Sequence, residues 1–344
     1  MRFIVLVSLF IQLVTAETVL HPCTHNEFCI PLSICPMFKQ YTGSASSKWP
    51  EEVRNIARNK LCNREKIGQQ TVYSVCCPSV MNSQTCGSQT IDRISFGQVA
   101  LPFEFPWMAL LRDKHGKFVC GGTLISRRFV LTAAHCINSA KIESVRLGEN
   151  DITQKHDCII PDEKRDCAPP PQDIMVTKST IHPQYSARHK KNDIALLRLK
   201  RPATLGASVR TICLPNKSKE QWEVHPSMLI VSGWGLTEMN ESFDVLRYAQ
   251  VPVVSRKDCA PRVQHLSSFL RLDDSQVCAG GVDKVDNCPG DSGGPLQYFY
   301  NITSKYIQYG VVSYGVKSCG VKSEPGVYTK VEHFIGWIVE HVDE

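Results

Sequence analysis

Sixteen cysteines constrain this 344-residue chain more than any other feature of its sequence. In an oxidising compartment so many cysteines indicate disulfide bridges, whereas in the cytosol they would indicate metal sites. The N-terminus favours the first alternative: Arg2 precedes an almost wholly apolar run from Phe3 to Val14, and Ala16 ends a small-residue cleavage site. Residues 1–16 are therefore predicted to be a signal peptide of a secreted, extracellular protein. The apolar run is too short for a membrane anchor.

The cysteines fall into three groups along the chain. The first six are Cys23, Cys29, Cys35, Cys62, Cys76 and Cys77. Cys86 stands alone in the polar stretch 78–93, and nine follow: Cys120, Cys136, Cys158, Cys167, Cys213, Cys259, Cys278, Cys288 and Cys319. If the first six pair among themselves and every thiol is paired, Cys86 must bridge to one of the nine. Counting therefore predicts a covalent link between the stretch 78–93 and the large segment after it.

The small segment, residues 22–77, is too short for a hydrophobic core alone to stabilise it well. Three bridges of about 2–4 kcal/mol each would make up the deficit. A helical pattern begins there at Pro50, with Val53, Ile56 and Leu61 predicted to share one side. Proline and early acidic residues suit a helix start.

The large segment, residues 94–344, contains many short strand-like runs bounded by Gly, Pro, Asp or Asn. These runs include 118–119, 123–125, 194–197 and 311–314. The last stretch, 332–342, places Phe334, Trp337, Ile338 and Val342 at helical spacing. We therefore predict an all-β domain that ends in a docked helix. The net charge of +6 is spread without a long basic run, so the sequence gives no case for binding nucleic acid.

Three short islands supply the parts of a nucleophilic site, because a serine hydroxyl needs an adjacent base at neutral pH. They are Thr132-Ala133-Ala134-His135-Cys136, Asn192-Asp193-Ile194-Ala195-Leu196 and Gly290-Asp291-Ser292-Gly293-Gly294-Pro295. A lone histidine is usually structural, and a lone Asp-Ser-Gly is usually a turn. All three together, in the order His, Asp, Ser, favour catalysis, and over residues 94–344 the chain resembles the chymotrypsin-fold family of serine proteases.

The resemblance implies a catalytic role for each member of the triad. Ser292 would attack the scissile carbonyl, and His135 would take its proton and pass it to the leaving amine. Asp193 would hold the imidazole tautomer and stabilise the imidazolium. The backbone N–H groups of Gly290 and Ser292 would form the oxyanion hole.

Substrate preference is also implied by the resemblance. Asp286, six residues before Ser292, occupies the family's position at the floor of the primary pocket, where a carboxylate pairs with an Arg or Lys side chain. Gly315 and Gly326 match the two wall positions that must be small. Asn287 and Pro289 differ from trypsin's own residues, which leaves the choice between Arg and Lys open. An ordinary loop aspartate is the alternative for Asp286.

The resemblance extends to an activation site at Arg93-Ile94, with cleavage after Arg93. The freed Ile94 ammonium would pair with Asp291, since a buried carboxylate needs such a partner. Phe96 stands where the family usually has glycine. Cleavage after arginine implies that the upstream activating protease is itself trypsin-like.

The spacing Cys23-x5-Cys29-x5-Cys35, then Cys62, then Cys76-Cys77 resembles the clip domain of arthropod clip-domain serine proteases. The fold implied is a chymotrypsin-like double β-barrel with a C-terminal helix, preceded by a small disulfide-rich clip domain. The domains would be a clip domain at 22–77, a linker with the activation site at 78–93, and a trypsin-like domain at 94–344. The sequence alone allows many cysteine pairings. The resemblance implies Cys23–Cys76, Cys29–Cys62, Cys35–Cys77, Cys86–Cys213, Cys120–Cys136, Cys158–Cys167, Cys259–Cys278 and Cys288–Cys319.

Oxygen-bearing side chains cluster in the loop that begins at Glu149 and continues through Asp151 and Thr153 to Asp157. Such a cluster suits Ca²⁺, and family members bind calcium in this region. These four residues are the predicted ligands of a structural calcium ion, with a merely polar surface loop as the alternative. No cofactor is expected for the chemistry. Three sequons, at Asn216, Asn240 and Asn301, are compatible with glycosylation.

Taken together, the sequence predicts a secreted serine endopeptidase zymogen that cleaves after Arg or Lys. The family works in extracellular cascades in haemolymph, in innate immunity (melanisation or Toll-type signalling) or in development. The implied partners are downstream zymogens or cytokine precursors as substrates, the activating protease and serpin inhibitors, with no membrane partner. A digestive trypsin is a weaker alternative because it has no use for a six-cysteine module. The alternative from another class is a non-catalytic regulator that positions another protease.

Overall fold

Two closed β-barrels of six strands each form most of the protein, in a computed structural model that describes residues 20–24, 26–89, 99–159, 166–216, 226–235, 244–281, 291–315 and 324–342. The chain divides into two compact units. The first is drawn from Met1–Val80, Pro215–Val224 and Phe334–Glu344, and the second from Met81–Leu214 and His225–His333. No helix among the described residues is long and apolar enough to cross a membrane.

The first unit contains a small antiparallel sheet and three disulfides. Its strands, in the spatial order β1-β3-β2, are β1 (Glu27–Pro31), β2 (Leu61–Ile67) and β3 (Gln70–Pro78). Short 3₁₀ turns occupy Pro36–Phe38 and Ser46–Lys48, and helix α1 is Glu51–Asn59. The bridges Cys23–Cys76, Cys29–Cys62 and Cys35–Cys77 are present, which confirms the predicted pairing.

Helix α1 starts directly after Pro50, as predicted, but the predicted apolar side is wrong. Its buried residue is Ala57, whereas Ile56 is 43% exposed. Leu61 is buried, but it lies in β2 and not in the helix. Ala57 therefore takes the inward position that Ile56 was expected to fill.

The second unit contains both barrels. The first barrel, in the order β10-β11-β6-β5-β4-β7, consists of β4 (Met108–Asp113), β5 (Phe118–Ser126), β6 (Phe129–Thr132), β7 (Ile142–Leu147), β10 (Gln172–Ile181) and β11 (Ala195–Leu199). The second, in the order β12-β13-β14-β17-β16-β15, consists of β12 (Met228–Gly233), β13 (Arg247–Val254), β14 (Gln276–Gly280), β15 (Pro295–Tyr300), β16 (Lys305–Tyr314) and β17 (Pro325–Lys330). A two-stranded ribbon pairs β8 (Cys158–Ile159) with β9 (Asp166–Cys167).

Three further helices complete the described structure: α2 (Ala134–Ser139), α3 (Arg256–Leu266) and α4 (Val331–His341). The predicted C-terminal helix is α4, and it buries Phe334 and Ile338 as its spacing indicated. Trp337 is only half-buried, and Val342 follows the end of the helix. The all-β double barrel with a C-terminal helix is therefore confirmed.

A buried polar contact joins the two barrels. Trp107 is fully buried, and its indole N–H donates to Oε1 of Gln297 in β15 at 2.7 Å. Because a buried indole N–H needs a partner, this bond fixes the first barrel against the second. The barrels also approach each other at Gly121 of β5 and Gly294, and the candidate active site lies there.

The disulfides of this unit match the predicted pairing wherever the structure describes them. They are Cys86–Cys213, Cys120–Cys136, Cys158–Cys167 and Cys259–Cys278. The link required by cysteine counting is thus Cys86–Cys213. Cys288 and Cys319 lie outside the described residues.

Candidate active site

His135 and Asp193 form a close pair inside the second unit. His135 lies in the first turn of α2, directly after β6, and Asp193 lies just before β11, which pairs with β6. The ring Nδ1 of His135 is 2.8 Å from Oδ2 of Asp193, and the backbone N–H of His135 donates to Oδ1 at 2.9 Å. Since an ionised carboxylate only accepts, Nδ1 carries the proton and Nε2 is left to act as a base.

Asp193 is held by two more hydroxyl groups. Ser313 Oγ donates to its Oδ2 at 2.6 Å, and Thr329 Oγ1 donates to its backbone carbonyl at 2.8 Å. Burial alone would raise the pKa of Asp193, but the hydrogen bonds and charge of His135, together with Ser313, hold that pKa below its ordinary value. The carboxylate therefore stays ionised at neutral pH, although its side chain has no solvent exposure.

Ser292 lies on a tight turn that leads into β15. The backbone N–H of Gly294 donates to the carbonyl of Asp291 at 2.8 Å and closes the turn. Gly293 has a φ of +80°, and a Cβ there would lie 2.2 Å from Thr132 Oγ1. Any other residue at position 293 would thus be strained twice, by its backbone and by its neighbour. This turn fixes the direction in which Ser292 presents its hydroxyl.

Backbone contacts place Ser292 beside His135. The carbonyl of Ser292 accepts the N–H of Gly121 in β5 at 2.8 Å and lies 3.6 Å from Sγ of Cys136, the neighbour of His135. The Cys120–Cys136 bridge ties the same strand to α2. In this structure no hydrogen bond joins Ser292 Oγ to His135. Catalytic hydrogen bonds are often long without substrate and shorten in its complex.

The two predicted pocket-wall glycines are brought together by strand register. Tyr314 of β16 pairs with Val327 of the antiparallel strand β17, so the next residues on the same side of that pair, Gly315 and Gly326, face each other. Gln276 of β14 donates to the Tyr314 hydroxyl at 3.5 Å, and burial raises the pKa of Tyr314 to about 12. Asp286 and Gly290, the predicted pocket floor and oxyanion-hole residue, lie outside the described residues.

Two glycines lie against the carboxylate of Asp291. Its Oδ1 accepts the backbone N–H of Gly235 at 2.8 Å. A Cβ on Gly233 would lie 2.1 Å from that oxygen, and one on Gly235 would lie 2.6 Å from it. Only glycine at both positions lets the carboxylate fit, and sequence analysis did not find this requirement. The predicted activation residues Arg93 and Ile94 lie outside the described residues.

The predicted calcium ligands divide into two pairs. Glu149 and Asp157 are both only 8% exposed, and both accept the backbone N–H of Asn150, at 3.0 and 2.8 Å. Burial, followed by the charge of Asp157, raises the pKa of Glu149, and burial also raises that of Asp157. In contrast, Oδ1 of Asp151 bonds the N–H and hydroxyl of Thr153, at 3.0 and 2.6 Å. The structure therefore joins Glu149 with Asp157. Asp151 also donates its backbone N–H to Oδ1 of Asp157 at 3.1 Å, but its own carboxylate is used in a local turn with Thr153.

Two observations suit a cation beside Glu149 and Asp157. The paired, largely buried carboxylates repel each other, and Oδ1 of Asn150 is buried without a hydrogen-bond partner. Oxygen donors of this kind suit Ca²⁺. Arg146 partly offsets the charge, because its Nη1 donates to Glu149 at 3.2 Å. Sequence analysis did not find Arg146, which is close only because β7 runs directly into this loop.

Comparison with known proteins decides the family. A family model described as Trypsin matches residues 94–338. The serine protease grass of Drosophila melanogaster is 36% identical, over 91% of this chain and 87% of its own length. The crystal structure of the Drosophila Grass clip serine protease of the Toll pathway superposes with a TM-score of 0.68 at 35% identity, over 93% of this chain and 96% of that one. The chain belongs to the clip-domain serine protease family. Phenoloxidase-activating factor 3 of Holotrichia diomphalia is also similar: it is 35% identical, over 97% of this chain and 96% of its own length.

Family membership confirms the resemblance read from the cysteine spacing and the three islands. It places this clip-domain protease in a family of peptide hydrolases whose chemistry needs no cofactor. The same fold in a solved relative agrees with the double barrel and the disulfide-rich N-terminal sheet described above.

Proposed function

We propose that the chain is a secreted serine endopeptidase zymogen with Ser292, His135 and Asp193 as its catalytic triad. The observation that carries the proposal is the hydrogen-bonded pair of half-buried His135 and buried Asp193, with Ser292 on a tight turn beside the Cys120–Cys136 bridge. A protein that merely kept the fold would have no need of an ionised carboxylate without solvent contact. In this chain the free-energy cost of burying the Asp193 carboxylate is offset by hydrogen bonds, and those to His135 orient its ring.

Each residue then has a defined task. Ser292 Oγ attacks the scissile carbonyl while His135 Nε2 takes its proton, and the proton later goes to the leaving amine. Asp193 keeps the imidazole in the tautomer with its proton on Nδ1 and stabilises the imidazolium that forms. The backbone N–H groups of Gly290 and Ser292 stabilise the oxyanion. Ser313 acts through Asp193, as a positioning residue.

Specificity for Arg or Lys follows from a carboxylate at the pocket floor. Asp286 pairs with the basic side chain of the substrate, and the small residues Gly315 and Gly326 leave the walls open for it. The strand register that brings Gly315 and Gly326 together supports this assignment.

Activation depends on cleavage after Arg93 by a trypsin-like protease. The new Ile94 ammonium pairs with Asp291, and the glycines around that carboxylate support such a docking role. The Cys86–Cys213 bridge keeps the N-terminal segment attached after cleavage.

Controlled cleavage at Arg93 tests the zymogen proposal. The uncut chain should not hydrolyse an arginyl chromogenic substrate, and the cut chain should. An Arg93→Gln variant, exposed to the same activating protease, should stay inactive because the bond resists cleavage. Equal turnover before and after cleavage would contradict a zymogen. A cut chain that stays inactive would favour a non-catalytic regulator.

The proposed setting is an extracellular cascade, as in haemolymph. A solved relative is described as a protease of the Toll pathway, and another relative is named as activating phenoloxidase. We extend this kind of role to the chain: its substrates are downstream zymogens or cytokine precursors, and serpins inhibit it. Secretion relies on the signal peptide predicted at residues 1–16.

A structural calcium ion is proposed at Glu149 and Asp157, with the carboxamide oxygen of Asn150 as a further donor. When bound, the ion neutralises two buried carboxylates that otherwise repel each other. Asp151 and Thr153 remain weaker ligand assignments because they bond each other.

Calcium should raise the melting temperature of the chain. At a hundredfold excess over its Kd, a ligand of the folded state adds about 2.7 kcal/mol, which corresponds to about 5–10 °C. Differential scanning fluorimetry with Ca²⁺ and with EDTA measures this shift. Glu149→Gln should remove the shift, whereas Asp166→Asn, which changes an exposed acid in β9, should keep it. A shift that survives in Glu149→Gln would move the site elsewhere.

A further inference from the structure

The structure distinguishes between sequons that are equivalent in the sequence. Asn301 lies in the turn between β15 and β16, where residues 301–304 are all exposed. The turn is closed by its backbone, through the N–H of Thr303 and the carbonyl of Tyr300, at 3.2 Å. Among the described residues, the Asn301 carboxamide has no hydrogen-bond partner. We infer that Asn301 is an N-glycosylation site and that Asn216 is not.

Asn216 is in the opposite situation. It is 3% exposed, and its Nδ2 donates to the carbonyl of Thr24 at 3.3 Å within the first unit. An N-linked glycan is bulky and is attached to this nitrogen, so the nitrogen must face solvent. A sugar on Asn216 would therefore displace the segment that carries Thr24. A folded chain cannot carry it there without losing that contact. The third sequon, at Asn240, lies outside the described residues.

The reaction at Asn301 needs only a donor that the secretory pathway supplies, a lipid diphosphate oligosaccharide. The Asn301 Nδ2 forms a bond to the anomeric carbon of the sugar, the bond from that carbon to the phosphate breaks, and the lipid diphosphate leaves. One amide proton is released. The inference thus rests on the proposed secretion of the chain.

A glycan on Asn301 would cover a neighbouring apolar residue and would lie far from the active site. Ile302, inside the sequon, is 73% exposed, so the sugar would shield an isoleucine that otherwise faces water. Ser292 precedes β15, and Asn301 follows its other end. The six residues of β15 span roughly 20 Å at about 3.3 Å each. Glycosylation of Asn301 should therefore leave substrate access to Ser292 unchanged.

Glycopeptide mass spectrometry of the full chain, secreted from insect cells, tests the inference. A foreign leader replaces residues 1–16, so that passage through the secretory pathway does not depend on the predicted signal peptide. Asn301→Gln and Thr303→Ala each remove the exposed sequon. Asn216→Gln and Ser218→Ala are the matched controls at the buried one.

The expected result is a glycan on the Asn301 peptide that both variants of the exposed sequon lose, with an unmodified Asn216 peptide. Turnover by the activated Asn301→Gln chain should equal that of the unaltered chain. An unmodified Asn301, or a glycan on Asn216 in the folded secreted chain, would overturn the inference. A chain that carries the Asn301 glycan with the foreign leader, but is retained in cells with its own residues 1–16, would contradict only the proposed secretion.

Discussion

Replacing Ser292 with alanine should lower the kcat of the activated chain by about 10⁶-fold. The change removes the only atom that attacks the substrate in the proposed mechanism. It retains the backbone carbonyl that accepts the Gly121 N–H and the turn that Gly293 makes possible. Hydrolysis of an arginyl chromogenic substrate, measured after cleavage at Arg93, gives the loss directly.

Folding and activation should be unaffected by this change. The melting temperature of Ser292→Ala and its rate of cleavage at Arg93 should match those of the unaltered chain. Ser83→Ala, which removes an exposed hydroxyl near Thr85, is the matched control and should keep full turnover. Residual turnover by Ser292→Ala close to that of the control would refute the triad assignment.

Changing Asp286 to serine should remove the preference for basic residues. Truncating one partner of a buried charge pair typically costs about 2–5 kcal/mol, so kcat/KM for arginyl and lysyl substrates should fall by roughly 30-fold to several thousandfold. Substrates with an apolar side chain at the same position should lose little, because they never used the carboxylate.

The control for this experiment is Asp283→Ser, three residues earlier in the sequence. It removes the same charge from the same segment and should leave the preference for Arg and Lys in place. If Asp286→Ser still favours arginyl over apolar substrates, the pocket floor has been assigned to the wrong residue.

Local sequence predicted the parts of this molecule that depend on spacing. Cysteine counting required a link from Cys86 to the large segment, and Cys213 is its partner. The helical spacing near the C-terminus matches α4, and the islands around His135 and Asp193 meet across paired strands. Such features follow from a few residues and the geometry of one element.

Features that depend on tertiary approach were not accessible in the same way. The strand-like runs 118–119 and 123–125 are one strand, because the glycines between them lie in β5. At Gly121 the backbone of Gly294, just before β15 of the other barrel, comes so close that a Cβ would lie only 3.3 Å from it. The strand register that places Ser313 and Thr329 against Asp193 joins residues more than a hundred positions apart. No local pattern encodes those contacts.

Covalent labelling tests the proposed catalytic activity most directly. The activated chain is treated with an arginyl organophosphonate, which reacts with an active serine nucleophile, and the modified peptide is identified by mass spectrometry. The proposed mechanism predicts one adduct, on Ser292, that appears only after cleavage at Arg93 and is absent from Ser292→Ala. A cut, folded chain that stays unlabelled under conditions in which trypsin is fully labelled would contradict the mechanism.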